Sequence, residues 1–163
     1  MILPDVLAPA LRVVFCGVAA SAHSARVGAY YAGPGNAFWP TLHAIGLTPQ
    51  RLRPSEFRRL KAFGIGLTDI AKNHAGSDAS LPRDAFDRAG LEARIRRFAP
   101  ALLAFNGKKA AQEFLARDAP KYGEQPERVG DTRLFVLPST SGAARGFWSL
   151  DPWHALARIV RSA

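Results

Sequence analysis

Leu11-Arg12-Val13-Val14-Phe15-Cys16, closed by Gly17, is a brief apolar run rich in β-branched and aromatic residues. Such a run predicts a strand buried on both faces. Ala101 to Phe105 and Leu134 to Leu137 have the same character, and Ile65 to Thr68, set between Gly64 and Asp69, adds a fourth strand. Between them the spacing predicts helices over Phe38 to Ile45, Ser55 to Phe63, Arg83 to Phe98 and Lys108 to Arg117. Pro152 opens a last helix, Trp153 to Arg161, with Asp151 as its N-cap. Apolar strands alternating with helices imply a mainly parallel sheet covered on both faces, a three-layer α/β/α sandwich. Asp118 to Thr132 is polar and reads as a surface excursion.

The 163 residues suit one domain spanning 1–163, large enough to bury a core without staples. No apolar run approaches the roughly 18 to 20 residues of a membrane helix, and the amino terminus lacks the pattern of a secretory signal. A cytoplasmic, membrane-independent protein is the expectation. The single cysteine, Cys16, excludes an intrachain disulfide and a multi-thiolate zinc site, and its apolar neighbours imply an inert thiol. With 22 Lys and Arg against 13 Asp and Glu, the net charge of +9 favours a polyanionic partner.

In a parallel sheet the functional groups gather beyond the carboxyl ends of the strands. This directs attention to the loops 17–36, 68–81, 106–109 and 138–145. The first is rich in small residues that let a ligand approach the backbone, and Tyr31 offers a flat face; packing of Tyr31 beside Phe38 and Trp39 is the alternative.

Gly28, Tyr31-Ala32-Gly33-Pro34-Gly35-Asn36 and Phe38-Trp39 resemble the mismatch-specific uracil/thymine-DNA glycosylases of the uracil-DNA glycosylase superfamily. Leu11 to Gly17, Gly64-Ile65-Gly66-Leu67-Thr68, Leu103-Ala104-Phe105-Asn106-Gly107-Lys108 and Val136 to Gly142 extend that resemblance collinearly over nearly the whole chain. It implies a monomeric, cofactor-free and metal-free enzyme that flips a deaminated base out of DNA and hydrolyses its N-glycosidic bond. Where the family carries Gly-Ile-Asn-Pro-Gly, this chain has Gly17-Val18-Ala19-Ala20-Ser21, so the water-positioning Asn is Ala19. Gly17 to His23 also resembles the Gly-Leu-Ala-Pro-Ala-Ala-His motif of the thermophile-type uracil-DNA glycosylases, which work without a polar group there.

With Ala19 unable to orient water, Asp69 is the first candidate for the chemistry, because a carboxylate can favour a cationic sugar and accept a proton. Capping the following segment is its alternative role. His23, Asn73 and His74 are the other candidates. The resemblance assigns the base pocket to Val18, Ser24, Tyr31 and Asn36. It assigns DNA contact and entry into the base stack to Ser139, Ser141, Gly142, Ala143 and Arg145, with Ala143 as a short apolar wedge. Lys108 and Lys109 begin a helix, where they can hold a phosphate or remain solvated. A catalytically weak relative that binds lesions without efficient cleavage is the alternative function, motivated by Ala19 and Ala143.

Overall fold

A computed structural model describes residues 1–163, the side chain of Phe147 apart. Five strands form one sheet: β1 (Val13–Gly17), β2 (Ile65–Asp69), β3 (Leu102–Asn106), β4 (Gly123–Val129) and β5 (Thr132–Leu137), in the order β2-β1-β3-β5-β4. β1 pairs in parallel with β2 and β3, and β3 in parallel with β5. The four expected strands are present within one or two residues of their predicted bounds.

Successive side chains of each strand feed opposite layers, as the period of two requires. Val13 and Phe15 enter a core shared with α2 (Phe38–Ala44) and α5 (Asp151–Ser162). Val14 and Cys16 enter a second core, under α3 (Arg88–Phe98) and α4 (Lys108–Leu115). Trp153 anchors the first core: it is fully buried, its ring centroid lies 5.6 Å from that of Phe15, and its indole N–H donates to the Pro138 carbonyl at 3.1 Å. Cys16 is buried in the second, and burial pushes its thiol well above the usual range, in accord with an inert group.

Several expectations need correction. The stretch Asp118 to Thr132 is not merely a surface excursion, because it contains β4, antiparallel to β5 at the sheet edge. Its apolar signal is weak because only one face is covered, by Gln125 and Val129, and because Pro126 sits at a register shift where no ladder donor is needed. The first loop holds a short helix, α1 (Ala22–Val27), capped by the Ser21 hydroxyl, which accepts from the Ser24 N–H at 3.0 Å, and closed by Gly28 at φ 71°. The expected helix Arg83 to Phe98 is broken. A single 3-10 turn covers Arg83–Ala85, and α3 begins only after Asp87, whose carboxylate accepts from the Gly90 N–H at 2.9 Å. Pro54–Phe63 is a 3-10 segment instead of an α-helix. Asp151 is not the N-cap of α5; it lies in the first turn, where its charge suits the helix dipole, and Leu150 occupies the cap.

The outer edge of β2 is covered by the amino-terminal segment. Val6 and Leu67 exchange two backbone hydrogen bonds of 2.9 Å each. Among the described residues no helix is long and apolar enough to cross a membrane.

Candidate active site

A cavity of about 620 Å³ opens beyond the carboxyl ends of β1, β2, β3 and β5. The first loop contributes Val18, Ala19, Ser24, Tyr31 and Asn36 to its wall. Asp69 enters from the end of β2, Asn106 and Lys108 from the end of β3, and Ser139, Ser141 and Ala143 from the loop after β5. The parallel register explains the convergence, since Gly17 pairs with Asp69 and Asn106 with Leu137.

Asp69 is the last residue of β2 and does not cap a following helix. It is only 4% exposed, and burial is the main reason its carboxyl is pushed up to about 6; Asp5 adds to the rise, while Lys72, Arg94 and the Gly17 backbone oppose it. The strand end is braced from behind. Asp5 accepts from the Thr68 hydroxyl at 2.7 Å and pairs with Lys72 at 2.8 Å, and Arg94 donates to the Asp69 carbonyl at 3.0 Å. Lys72 also donates to the Tyr30 hydroxyl at 3.0 Å. Asp78 also lines the cavity, but it is exposed.

Gly17 lets these groups close in. A Cβ at this position would lie 2.9 Å from the Asp69 Oδ1 and 3.0 Å from the Tyr31 hydroxyl. Tyr31 has φ 52°, a left-handed conformation that a bulky residue adopts at a cost of order 1 kcal/mol or more. Its ring lies 4.2 Å from that of Phe38, and its buried hydroxyl has no hydrogen-bond partner. Tyr31 therefore packs on Phe38, as one of its two sequence readings expects, and also lines the cavity.

Ser24 and Asn36 shape the same wall. The Ser24 hydroxyl accepts from the Ala32 N–H at 3.0 Å, and the Asn36 side chain accepts from the Phe38 N–H at 3.0 Å at the start of α2. In the last loop the Ser139 hydroxyl accepts from the Ser141 N–H at 3.1 Å, and the Ser141 hydroxyl accepts from the Ala143 N–H at 3.3 Å. Gly142 and Arg145 do not line the cavity but flank its rim: a Cβ on Gly142 would lie 3.5 Å from the Gly35 carbonyl, and the Arg145 guanidinium is 3.0 Å from the Cβ site of Gly35. Lys108 lies over the Tyr122 ring, and Lys109 pairs with Glu113 at 2.8 Å.

His23, Asn73 and His74 do not line the cavity. Asn73 is exposed, and the Nδ1 of His74 is buried without a partner. Sequence reasoning missed the part played by Asn106. Its side chain donates to the Thr140 hydroxyl at 2.9 Å and accepts from the Thr140 N–H at 3.0 Å, while the Thr140 carbonyl accepts from the Ala37 N–H at 2.9 Å. The signal was present: an amide ending an otherwise apolar, buried strand needs partners for all its polar atoms. Among the described residues, no group of three His, Cys, Asp or Glu side chains is placed to hold a metal.

The family profile described as the Uracil DNA glycosylase superfamily matches residues 4–159. The chain belongs to the uracil DNA glycosylase superfamily. A solution NMR structure of a protein from Methanosarcina acetivorans, described there as a candidate uracil DNA glycosylase, is 30% identical to it. That similarity covers 98% of this chain and 96% of the other, with a TM-score of 0.67. For a glycosylase of this superfamily the substrate class is DNA. The cavity stands beyond the carboxyl ends of four parallel strands, where functional groups gather in such sheets.

Proposed function

We propose that this glycosylase extrudes uracil or another deaminated base from DNA and hydrolyses its N-glycosidic bond, leaving an abasic site, as a monomer akin to the mismatch-specific branch. The observation that carries this reading is the buried Asp69 carboxylate, held near the Tyr31 hydroxyl in a cavity that Ala19 also lines. Tyr31 supplies the stacking face for the flipped base, while Val18, Ser24 and Asn36 shape its pocket. As the C1′–N bond breaks, Asp69 stabilises positive charge on the sugar and takes a proton from the attacking water; the C1′–O bond forms and the base leaves with the bonding electron pair. Ser139, Ser141, Arg145 and Lys108 hold phosphates, and Gly142 and Ala143 enter the vacated stack. The Ala at the position of the family Asn has a parallel in the thermophile-type motif, so its loss is compatible with hydrolysis.

Single-turnover incubation with duplexes carrying uracil, hypoxanthine, xanthine or an alkylated base, followed by alkali, tests this directly. Alkali-labile sites at a deaminated base that form about 10²-fold more slowly in Asp69→Asn are expected. Lesion binding without strand breakage on any duplex would instead favour a recognition protein, the reading that Ala19 and the short Ala143 wedge motivate.

A further inference from the structure

The positive charge of the chain is not concentrated at the cavity. There Lys72 is paired with Asp5 and Lys109 with Glu113, both at 2.8 Å. The other cations of the loops 17–36, 68–81, 106–109 and 138–145 are Arg26, Lys108 and Arg145, set against Asp69 and Asp78. Most of the net charge of +9 therefore lies elsewhere.

Because β1, β2, β3 and β5 are parallel, their amino ends share the opposite edge of the molecule. Arg12 leads into β1, Lys61 stands near the end of the 3-10 segment before β2, and Arg97 lies in the last turn of α3 before β3. Backbone contacts hold these segments together: the Arg12 N–H donates to the Gly64 carbonyl at 2.8 Å, the Leu102 N–H to the Arg12 carbonyl at 3.1 Å, and the Ala10 N–H to the Phe98 carbonyl at 2.9 Å. On β4, Arg128 is the cross-strand partner of Arg133. Like charges directly opposed on a sheet are destabilising. Glu124 holds Arg133 at 2.6 Å, so Arg128 has no ion-pair partner of its own, with Asp131 of the adjoining turn as the next carboxylate along the chain. Arg12, Lys61, Arg97 and Arg128 are all exposed, and among the described residues none has an ion-pair partner.

We propose that this amino-end edge is a second binding surface, for the phosphate backbone of undamaged duplex DNA, so that one molecule holds one DNA segment here while its cavity faces another. Guanidinium forks match phosphate oxygens in pairs, and three of these four cations are arginines. A lipid surface fits less well. Among the described residues the exposed large apolar side chains are Met1, Ile2 and Val27; Ile2 is tied to Lys72 and Val27 ends α1, both at the cavity end. The inference rests on the reading that the protein works on DNA.

The test uses the triple variant Arg12→Gln, Lys61→Gln, Arg97→Gln and two undamaged duplexes carrying a donor and an acceptor dye. The wild type should bring the duplexes together and produce energy transfer that the variant loses. The salt slope of its duplex binding should fall by about 2 to 3, near 0.9 per lost phosphate contact. Single-turnover cleavage of a short lesion-bearing duplex should be unchanged, because the cavity is remote from the substitutions. Equal energy transfer and equal slope in the variant would overturn the proposal. So would a wild type that never joins two duplexes, or one captured by anionic vesicles in preference to DNA. If neither protein cleaves yet only the wild type joins duplexes, the catalytic reading fails and the second surface stands.

Discussion

Asp69 is buried in surroundings that disfavour its own charge, which links its function to a stability cost. Its carboxyl titrates near 6 in the folded chain against 3.8 for the free group, so between those values the native state binds more protons than the unfolded state. The Asp69 contribution to stability is therefore most favourable below about pH 4 and falls by about 3 kcal/mol as pH rises through 6. Asp69→Asn should unfold at higher denaturant than the parent at neutral pH, by up to about 3 kcal/mol, and show little difference at pH 4. The same variant should cleave about 10²-fold more slowly, and the parent's rate should climb with pH to a plateau with a midpoint near 6. Ala19→Asn should raise the single-turnover rate on uracil by restoring an amide able to orient water. Tyr31→Ala should lose about 1 to 3 kcal/mol of discrimination between lesion and normal duplex in competitive binding. The position of Asp69 was legible because it closes an apolar strand. Its burial was not, since that depends on Gly17 of the neighbouring strand and on Asp5 from the amino terminus.

At the level of elements, legibility followed how completely a segment is buried. β1, β3 and β5 are covered on both faces and announce themselves as apolar runs, whereas β4 alternates Gln125 and Val129 with Glu124, Pro126 and Arg128 and so resembles a loop. α1 has six residues, among them Ala, Ser and His, and is set by its Ser21 and Gly28 ends more than by periodicity. The loop after β5 was recognisable by resemblance, but its anchorage was not. The Asn106 amide grips Thr140, and Thr140 in turn accepts from Ala37, so the loop proposed to enter the DNA is tied to the wall proposed to receive the base. Ala143 is exposed on the 3-10 segment Gly142–Phe147, with its side chain free to lengthen. Ala143→Leu should fill more of the vacated stack and raise the single-turnover rate on duplex substrate, with no gain on the same lesion in single-stranded DNA. Equal gains on both would show that the residue acts on the pocket instead of the stack.

Across the whole molecule, the amino-terminal segment connects the sheet edge to the chemistry. Val6 pairs with Leu67, and the Val6 carbonyl lies 2.5 Å from where a Cβ on Gly66 would stand, so only glycine lets the strap lie flat on β2. The strap places Asp5 against Thr68, Lys72 and Arg94, one residue before Asp69 in the strand. Asp5 raises the Asp69 carboxyl, and Lys72 and Arg94 lower it. In Asp5→Asn both cations remain while the anion that offsets them is gone, so Asp69 should ionise more readily. The midpoint of the rate–pH profile should then move below its parental value near 6, and the plateau rate should fall if a less basic carboxylate accepts the proton of water less well. Some stability should also be lost, about 1 to 3 kcal/mol, because the Thr68 hydroxyl and Lys72 lose a charged acceptor. The two effects separate cleanly. Partial unfolding lowers the rate only in proportion to the folded fraction, read from denaturant melts at each pH, whereas a change of field at Asp69 moves the midpoint of the rate per folded molecule. A profile lowered uniformly, with its midpoint unmoved, would confine Asp5 to holding the strap in place.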